Sequence, residues 1–239
     1  MTPDLSLKTQ LLDFPDPQAL AEALARSVAD DLRAAIADRG SASLALSGGN
    51  TPKAFMQALA LQPLDWPRVG VTLVDERWVS ESNARSNAAL VKTNLLHGSA
   101  AAARFVPLHR DTPEPEQALA EVQSELASLS LPFDALVLGM GNDGHTASFF
   151  PGGDHLAAAL DPATKALLLP MRAPGAGEAR ITLTLPPVLA ARHLYLHIEG
   201  ADKRKVLAEA LSGEGPGAGY PIRSVLEQAR SPVRIYWAG

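Results

Sequence analysis

The sequence contains no cysteine, although it is 239 residues long. Disulfide bonds, thiolate nucleophiles and cysteine metal sites are therefore excluded, which fits a reducing compartment. Long apolar runs are also missing, and none approaches the roughly 18 residues that a membrane-spanning helix requires. The first ten residues, MTPDLSLKTQ, lack the basic and then apolar layout of a signal peptide. We therefore expect a cytoplasmic protein that has no membrane partner.

A surplus of positive charge is missing as well. The formal net charge is -5 and the pI is near 5.7, whereas proteins that bind nucleic acids usually carry clustered Lys and Arg in excess. We therefore expect no nucleic-acid partner, and an anionic ligand would need a local cluster of cations. Hydrophobic residues make up 46% of the chain, which is ample for a core. Because no low-complexity tract or solenoid repeat divides the sequence, we predict a single domain over residues 1–239.

Short apolar runs alternate with amphipathic segments along the whole chain. The runs predict strands over 43–46, 69–74, 105–106, 135–138, 165–169, 181–185, 193–198 and 233–236. The segments between them predict helices over 17–39, from about 52, over 90–96, 115–129, from 186, after 200, and over 221–228. Strict alternation within 181–185 is typical of a half-exposed strand. The order of elements predicts an α/β three-layer sandwich, with a mainly parallel, Rossmann-like sheet flanked by helices.

The segment DALVLGMGNDGHTASFFPGG, residues 134–153, is the most informative stretch of the sequence. A buried strand over 135–138 is followed by a turn that holds Asn142, Asp143 and His145 at the strand's carboxyl end, where open α/β sheets bind ligands. Three glycines let a bound group approach the main chain there: Gly139, Gly141 and Gly144. They match the GxGxxG dinucleotide pattern, but neither the long helix nor the acidic residue about 20 residues later follows. A turn whose histidine merely caps a helix is the structural alternative, whereas an Asp and a His in such a loop favour proton transfer.

A second glycine-containing turn follows the strand over 43–46. Its residues are Ser47, Gly48, Gly49, Asn50 and Thr51, and they lead into the helix that starts near Pro52. Successive backbone NH groups and the positive end of the helix would point to one spot, which suits a phosphate or a carboxylate. The turn is not a Walker loop, because no GK[ST] follows. An ordinary strand-to-helix turn is the alternative.

Charged residues follow the strand over 69–74. Asp75, Glu76 and Arg77 would be costly to bury without partners, so we expect them to line a polar cleft. Arg85 lies on the next loop and is a further candidate for that cleft. A purely structural pairing of Arg85 with Asp75 or Glu76 is the alternative.

Four polar clusters, which begin at Ser47, Asp75, Asp143 and Gly200, each follow a predicted strand. The carboxyl ends of parallel strands share one edge of a sheet, so the clusters can meet there. Lys203 belongs to the last cluster, at a helix start where cations oppose the macrodipole, and such misfits often mark sites. Glycine NH groups and cations would hold a phosphate, while an Asp and a His would transfer protons. The convergence predicts a sugar-phosphate enzyme that needs no metal and no nucleotide cofactor.

Five sequence blocks carry a resemblance to a known family. In order they read LALSGGNTP, VTLVDERWV with NARSN, LVLGMGNDGHTASFFPG, RITLTLPPVL and HIEGADKRKVL. They resemble the blocks of the 6-phosphogluconolactonases, enzymes of the oxidative pentose phosphate pathway that are related to glucosamine-6-phosphate deaminase. The resemblance runs from about Leu44 to the last strand. It implies a deaminase-like fold and the hydrolysis of 6-phospho-D-glucono-1,5-lactone to 6-phospho-D-gluconate without a cofactor.

The resemblance also implies roles for individual residues. His145 would be the general base that activates water, and Asp143 would orient its ring or stabilise the imidazolium. Backbone NH groups near Gly141 or Gly144, or the side chain of Arg77, would hold the developing oxyanion. The phosphate would be held by a further set of residues: Ser47, Gly48, Gly49, Arg180 and Lys203. The other expected substrate contacts are Asn50, Thr51, Asp75, Arg77, Arg85, Gly141 and Asn142.

Other functions stay open at this point. The related deaminase carries a Glu where this chain has Phe150, and an apolar ring cannot move protons. Asp75, at the position of the deaminase's base, is retained, so a deaminase or isomerase of amino-sugar phosphates is an alternative. A non-catalytic sugar-phosphate sensor and a dinucleotide-dependent dehydrogenase are two more. For assembly we expect a monomer or a weak homodimer.

Overall fold

The computed structural model describes residues 8–239. Its strands, numbered in chain order, are β1 (Thr9–Phe14), β2 (Ala42–Leu46), β3 (Val69–Leu73), β4 (Asp75–Arg77), β5 (Arg104–Val106), β6 (Ala135–Leu138), β7 (Leu168–Met171), β8 (Arg180–Leu183), β9 (His193–Glu199) and β10 (Val233–Ala238). The signal-peptide expectation concerns the first ten residues, and residues 1–7 lie outside the described part.

The α-helices of the same part of the chain are α1 (Pro17–Arg39), α2 (Lys53–Ala60), α3 (Asn87–Asn94), α4 (Leu119–Leu126), α5 (Leu156–Leu160), α6 (Leu185–Ala190), α7 (Ala201–Ser212) and α8 (Pro221–Gln228). The helix predicted over 115–129 is shorter than expected, because Pro115–Ala118 forms a 3-10 turn before α4. None of the helices in residues 8–239 is long and apolar enough to cross a membrane.

The larger sheet contains seven strands in the order β1-β10-β9-β6-β2-β3-β5, and every neighbouring pair is parallel. Helices flank this sheet, so the predicted α/β fold with a mainly parallel sheet is confirmed. After β5 the chain returns to β6, on the other side of β2. The strand order therefore reverses between β2 and β6, and open α/β sheets bind ligands at such a point.

Helix α1 shows how the local sequence sets the elements. The Asp16 side chain accepts a hydrogen bond of 2.8 Å from Ala19 N, which caps the helix start. Gly40 ends the helix in the left-handed conformation at φ 78° and donates to Ile36 O. The buried stripe consists of Leu20, Leu24, Val28 and Leu32 among others. Burying such a stripe against α2 and the sheet supplies most of the stability of an amphipathic helix.

Two features of the sheets differ from the sequence expectation. Strand β1 was not predicted, because TQLLDF mixes polar and apolar residues and lies at a sheet edge where much of it is exposed. A second sheet was not predicted either. It is antiparallel, has the order β4-β8-β7, and takes in the charged segment Asp75–Arg77.

Strand β8 is buried along its whole length, so the prediction of a half-exposed strand is wrong. Both threonines of the alternating pattern are fully buried. Thr182 Oγ1 donates to Leu183 O at 3.0 Å, and Thr184 Oγ1 donates to Ala166 O at 2.6 Å. These hydrogen bonds explain the burial, since a hydroxyl that has a partner is tolerated inside a protein.

Candidate active site

A cavity of about 330 Å³ opens at the carboxyl ends of β2 and β6, at the point where the strand order reverses. The predicted site residues that line it are Ser47, Gly48, Gly49, Thr51, Asp75, Arg77, Arg85, Gly141, His145, Arg180 and Lys203. Three predicted residues do not line it: Asn50, Asn142 and Asp143. Asn50 and Asn142 are exposed, whereas Asp143 is bonded to a residue of the cavity wall. The four clusters that follow strands therefore meet as expected.

The Ser47 turn is fastened to the strand beside it. Ser47 N donates to Val137 O at 3.0 Å, and Ser47 Oγ accepts from Gly139 N at 3.2 Å. Gly48 has no room for a side chain, because a Cβ there would lie 1.8 Å from Asn87 Oδ1. Asn87 in turn donates to Asp75 O at 2.9 Å. Three segments of the cavity wall are therefore held in contact through Gly48.

His145, on the other wall, forms a close pair with Asp143. His145 Nδ1 lies 2.5 Å from Asp143 Oδ1, which also accepts from His145 N at 3.2 Å. Burial alone would raise the pKa of Asp143, but the charge and hydrogen bonds of His145 outweigh it and hold that pKa below its ordinary value. A carboxylate can only accept, so Nδ1 carries the hydrogen and Nε2 is the basic nitrogen of the neutral ring. Gly141 is required beneath this pair, since a Cβ there would lie 2.1 Å from Nδ1.

The backbone NH groups of Gly141 and Gly144 donate hydrogen bonds within their own turn. Gly141 N donates to His145 O at 2.8 Å, and Gly144 N donates to Gly141 O at 3.2 Å. Both NH groups suggested from the sequence as oxyanion donors are therefore engaged within the turn. Arg77, the third candidate, lines the cavity, and its Nε is buried without a hydrogen-bond partner among the described residues.

Phe150 is an aromatic residue of this wall. Its ring lies 4.3 Å from the ring of His145, with the planes tilted by 32°, and it is almost fully buried. The Arg180 guanidinium lies over the same ring, 5.2 Å from its centre. The Phe150 ring therefore packs against both the His145 imidazole and the Arg180 guanidinium.

Arg77 and Arg180 come from the small antiparallel sheet, where they lie directly opposite each other. Arg180 is buried, donates from Nη2 to Ala176 O at 2.7 Å and lies 3.8 Å from Asp75 Oδ2. Asp75 Oδ2 accepts from Ser148 Oγ at 2.6 Å. Burial lowers the pKa of Arg180, as do Arg77 nearby and Arg85, while Asp75 opposes them. An arginine stays charged in proteins, so this part of the cavity wall keeps a positive charge.

Arg85 has a different partner from the one considered for it. Its Nε lies 2.9 Å from Glu178 Oε1, so it pairs with neither Asp75 nor Glu76. The carbonyl of Arg85 accepts from Arg77 Nη1 at 2.5 Å. Arg85 therefore ties its loop to the segment that precedes β8, on the rim of the cavity.

Glu76 does not line the cavity, so this part of the prediction is wrong. Its side chain is fully buried and accepts from three backbone NH groups, Arg77 N at 2.8 Å, Asn87 N at 2.8 Å and Ala88 N at 2.7 Å. Burial raises the pKa of Glu76, although these hydrogen bonds lower it. Successive residues of a strand face opposite sides, which places Asp75 in the cavity and Glu76 behind it.

Sequence reasoning also missed three polar residues of the wall: Asn87, His197 and Glu199. His197 and Glu199 are two residues apart at the end of β9, on the same face of the sheet. A polar pair at period two, at the end of the apolar run over 193–198, was the available signal. Within residues 8–239, no group of three or more His, Asp or Glu side chains is arranged to hold a metal ion.

The parallel sheet, the reversal of strand order and the position of the cavity place the chain in the α/β class whose fold resembles glucosamine-6-phosphate deaminase. A family model described as "Glucosamine-6-phosphate isomerases/6-phosphogluconolactonase" matches residues 15–237, and the chain belongs to this family. The resemblance noted in the sequence is therefore confirmed.

Relatives of the chain are similar over nearly their whole length. A 6-phosphogluconolactonase of Rhizobium meliloti is 55% identical over 225 residues, which cover 94% of this chain and 97% of that protein. One of Mesorhizobium japonicum is 53% identical, with 94% and 93% covered. The crystal structure of a 6-phosphogluconolactonase from Shewanella baltica has a TM-score of 0.92 and 39% identity, and the match covers 97% of this chain and 98% of that one.

Proposed function

We propose that the chain hydrolyses 6-phospho-D-glucono-1,5-lactone to 6-phospho-D-gluconate, a step of the oxidative pentose phosphate pathway. The names of its relatives support the substrate. The observation that carries the proposal is a histidine–carboxylate pair. His145 lines a cavity whose wall also contains a glycine turn and four cationic side chains, and Asp143 is hydrogen-bonded to its ring. A substrate that has both a lactone carbonyl and a phosphate needs a base near the carbonyl and cations near the phosphate.

In the proposed reaction His145 is the general base. A water molecule gives its proton to Nε2 while its oxygen bonds to C1, and the carbonyl electrons move to the carbonyl oxygen. The tetrahedral intermediate collapses by breaking the bond between C1 and the ring oxygen, which receives the proton from the imidazolium. Asp143 holds the ring in the Nδ1–H tautomer and stabilises its positive charge. The carboxylic acid formed then loses its proton to water.

We assign the oxyanion to Arg77. Its buried Nε has no partner among the residues that the structure describes, whereas the NH groups of Gly141 and Gly144 donate within their turn. A charged donor that is already fixed in place stabilises the transition state without reorganisation. Phe150 beside His145 supports hydrolysis over amino-sugar deamination. The related deaminase has a Glu at this position, and a phenyl ring cannot transfer protons as that carboxylate can.

The test follows the loss of purified 6-phospho-D-glucono-1,5-lactone, with the spontaneous rate subtracted because such lactones also open unaided. Ammonia release from glucosamine 6-phosphate is measured in parallel with the same protein. The proposal predicts accelerated lactone loss and no ammonia. Ammonia without lactone loss would identify a deaminase, and binding of 6-phospho-D-gluconate without turnover in either assay would identify a sensor.

Removal of Lys203 should weaken substrate binding with little effect on turnover. We expect Lys203→Ala to raise KM by roughly 10- to 100-fold, since a charge-assisted hydrogen bond contributes about 1.5–3 kcal/mol and about 1.4 kcal/mol corresponds to tenfold. The phosphate is not the reacting group, so kcat should change little. Lys205→Ala is the matched control, because Lys205 lies on the same helix but is exposed and outside the cavity. A loss of kcat at constant KM would contradict the assignment.

Phosphate binding should also weaken at alkaline pH. Burial lowers the pKa of Lys203, although Asp143 and Asp202 nearby oppose this. The ammonium charge is therefore lost at a lower pH than that of an exposed lysine, while the phosphate keeps its charge. We expect calorimetry to show weaker binding of 6-phospho-D-gluconate as pH rises toward the pKa of Lys203. Lys203→Arg should remove this loss, because a guanidinium stays charged, and an equal loss in that variant would show that another group titrates.

A further inference from the structure

A second histidine lies behind the phosphate-binding turn. His197 is on β9, is only 3% exposed, and lines the main cavity. It also lines a smaller cavity of about 10 Å³ that is bounded by Ser47, Gly48 and Gly139. Phe55 packs edge-on against its ring, with the ring centres 6.2 Å apart. The imidazole is therefore held between the sheet and the turn.

The two ring nitrogens of His197 are in different surroundings. Nε2 lies 3.0 Å from Glu199 Oε1, whereas Nδ1 is buried and no hydrogen-bond partner reaches it within residues 8–239. A carboxylate can only accept, so the proton lies on Nε2. Nδ1 is then a buried acceptor, and a buried acceptor without a donor costs free energy comparable to a lost hydrogen bond. If the His197 ring served packing alone, a ring without the Nδ1 acceptor would avoid this cost.

The small cavity offers a donor for Nδ1. Its volume is about the minimum that one water molecule needs. Most of the residues around it are apolar, and Ser47 and His197 are the polar side chains that line it. Ser47 Oγ accepts from Gly139 N, which leaves its own O–H able to donate. One water molecule could join this turn to the imidazole, and such a bridge is nearly as favourable as a direct hydrogen bond.

We propose that His197 is a positioning residue for the phosphate subsite, in which Nδ1 accepts a hydrogen bond from the Ser47–Gly48 turn through one water molecule in the small cavity. Glu199 keeps the proton on Nε2, so that Nδ1 stays an acceptor. The inference rests on the proposed function, because it takes the turn to hold the substrate's phosphate. It adds a His–Glu pair that acts on binding, separate from the His145–Asp143 pair that acts on the carbonyl.

Three substitutions at His197 separate the two nitrogens. His197→Asn keeps an acceptor at the position of Nδ1, His197→Gln keeps an amide near the position of Nε2 only, and His197→Phe removes both. We expect Gln and Phe to raise KM for the phosphorylated lactone by about three- to tenfold, the range expected for one hydrogen bond. His197→Asn should stay within about twofold of the parent KM, and kcat should change little in all three.

A phosphate-free substrate distinguishes positioning from general damage. Unphosphorylated glucono-1,5-lactone makes no contact with the phosphate subsite, so its kcat/KM should be the same in all three variants. Equal effects of Asn and Gln, or an equal loss on the unphosphorylated lactone, would overturn the proposal. Thermal melting identifies a variant that does not fold, and the comparison of Asn with Gln does not depend on His197→Phe.

Substitutions at Glu199 give an independent test. Glu199→Gln removes the negative charge but keeps an acceptor for Nε2–H, whereas Glu199→Ala removes both. We expect KM for the phosphorylated lactone to be higher in Glu199→Ala than in Glu199→Gln by about three- to tenfold. Equal values would contradict the proposal, because an acceptor for Nε2–H would then have no effect on binding.

Binding of inorganic phosphate, measured by calorimetry, separates this inference from the proposed function. A protein without lactonase activity would contradict the function, yet weaker phosphate binding in His197→Gln than in His197→Asn would still support the bridge. Equal phosphate affinity in these two variants would contradict it, whatever the lactonase activity.

Discussion

Replacement of His145 by glutamine lowers the rate of enzymatic lactone hydrolysis by about 10²- to 10⁴-fold, the usual contribution of a general base. The amide cannot take the proton from water, while the cavity and its cationic side chains stay in place. The variant should therefore keep the parent KM for substrate binding and lose kcat. The measurement is lactone loss by carbon NMR, with the uncatalysed rate subtracted at each pH.

The chain provides a matched control for this substitution. His155 also lies beside an aspartate, with its Nδ1 3.1 Å from Asp154 Oδ1, but it does not line the cavity. His155→Gln should leave kcat within about twofold of the parent value. If His145→Gln retains the full rate, His145 is not the base and the mechanism is wrong, even if the lactone is still the substrate.

Replacement of Glu76 by alanine destabilises the fold by about 3–5 kcal/mol, because three buried backbone NH groups lose their acceptor at about 1–3 kcal/mol each and water recovers part of the loss. These groups belong to β4 and to the first turn of α3. Glu76→Gln keeps one acceptor oxygen and should cost about 1–3 kcal/mol. The free energy of unfolding is measured in urea by linear extrapolation.

Glu81 is the control for the stability measurement. It is exposed and pairs with Lys92 at 2.6 Å, on the same stretch of chain. Glu81→Ala should cost less than about 1 kcal/mol, as exposed ion pairs do. A similar small cost for Glu76→Ala would show that its hydrogen bonds are replaced by water and that the residue is not structural.

Local signals predicted most of the parallel sheet and the two glycine turns. The cap at Asp16, the closing Gly40 and the apolar run over 135–138 each act within a few residues, so the sequence reveals them directly. The site could be predicted for the same reason. The four polar clusters each follow a strand, and parallel strands bring their carboxyl ends to one edge. Arg180 begins its strand and was expected only from the family resemblance.

The missed features depend on contacts between distant segments. Strands β4 and β8 are separated by about a hundred residues in the sequence. A three-residue strand has no local pattern that would predict its pairing partner. Once the pairing is known, the alternation of faces explains why Asp75 and Arg77 enter the cavity and Glu76 does not. His197 was missed because a histidine inside an apolar run is usually part of the core.

The register of the small sheet has a consequence for the free protein. Arg77 and Arg180 are cross-strand neighbours, and like charges directly opposite each other in an antiparallel pair are destabilising. The fold therefore holds two mutually repelling guanidinium groups together before any substrate arrives. An anion bound beside both groups would neutralise this repulsion, so ligand binding there would remove an electrostatic cost that folding had imposed on the sheet.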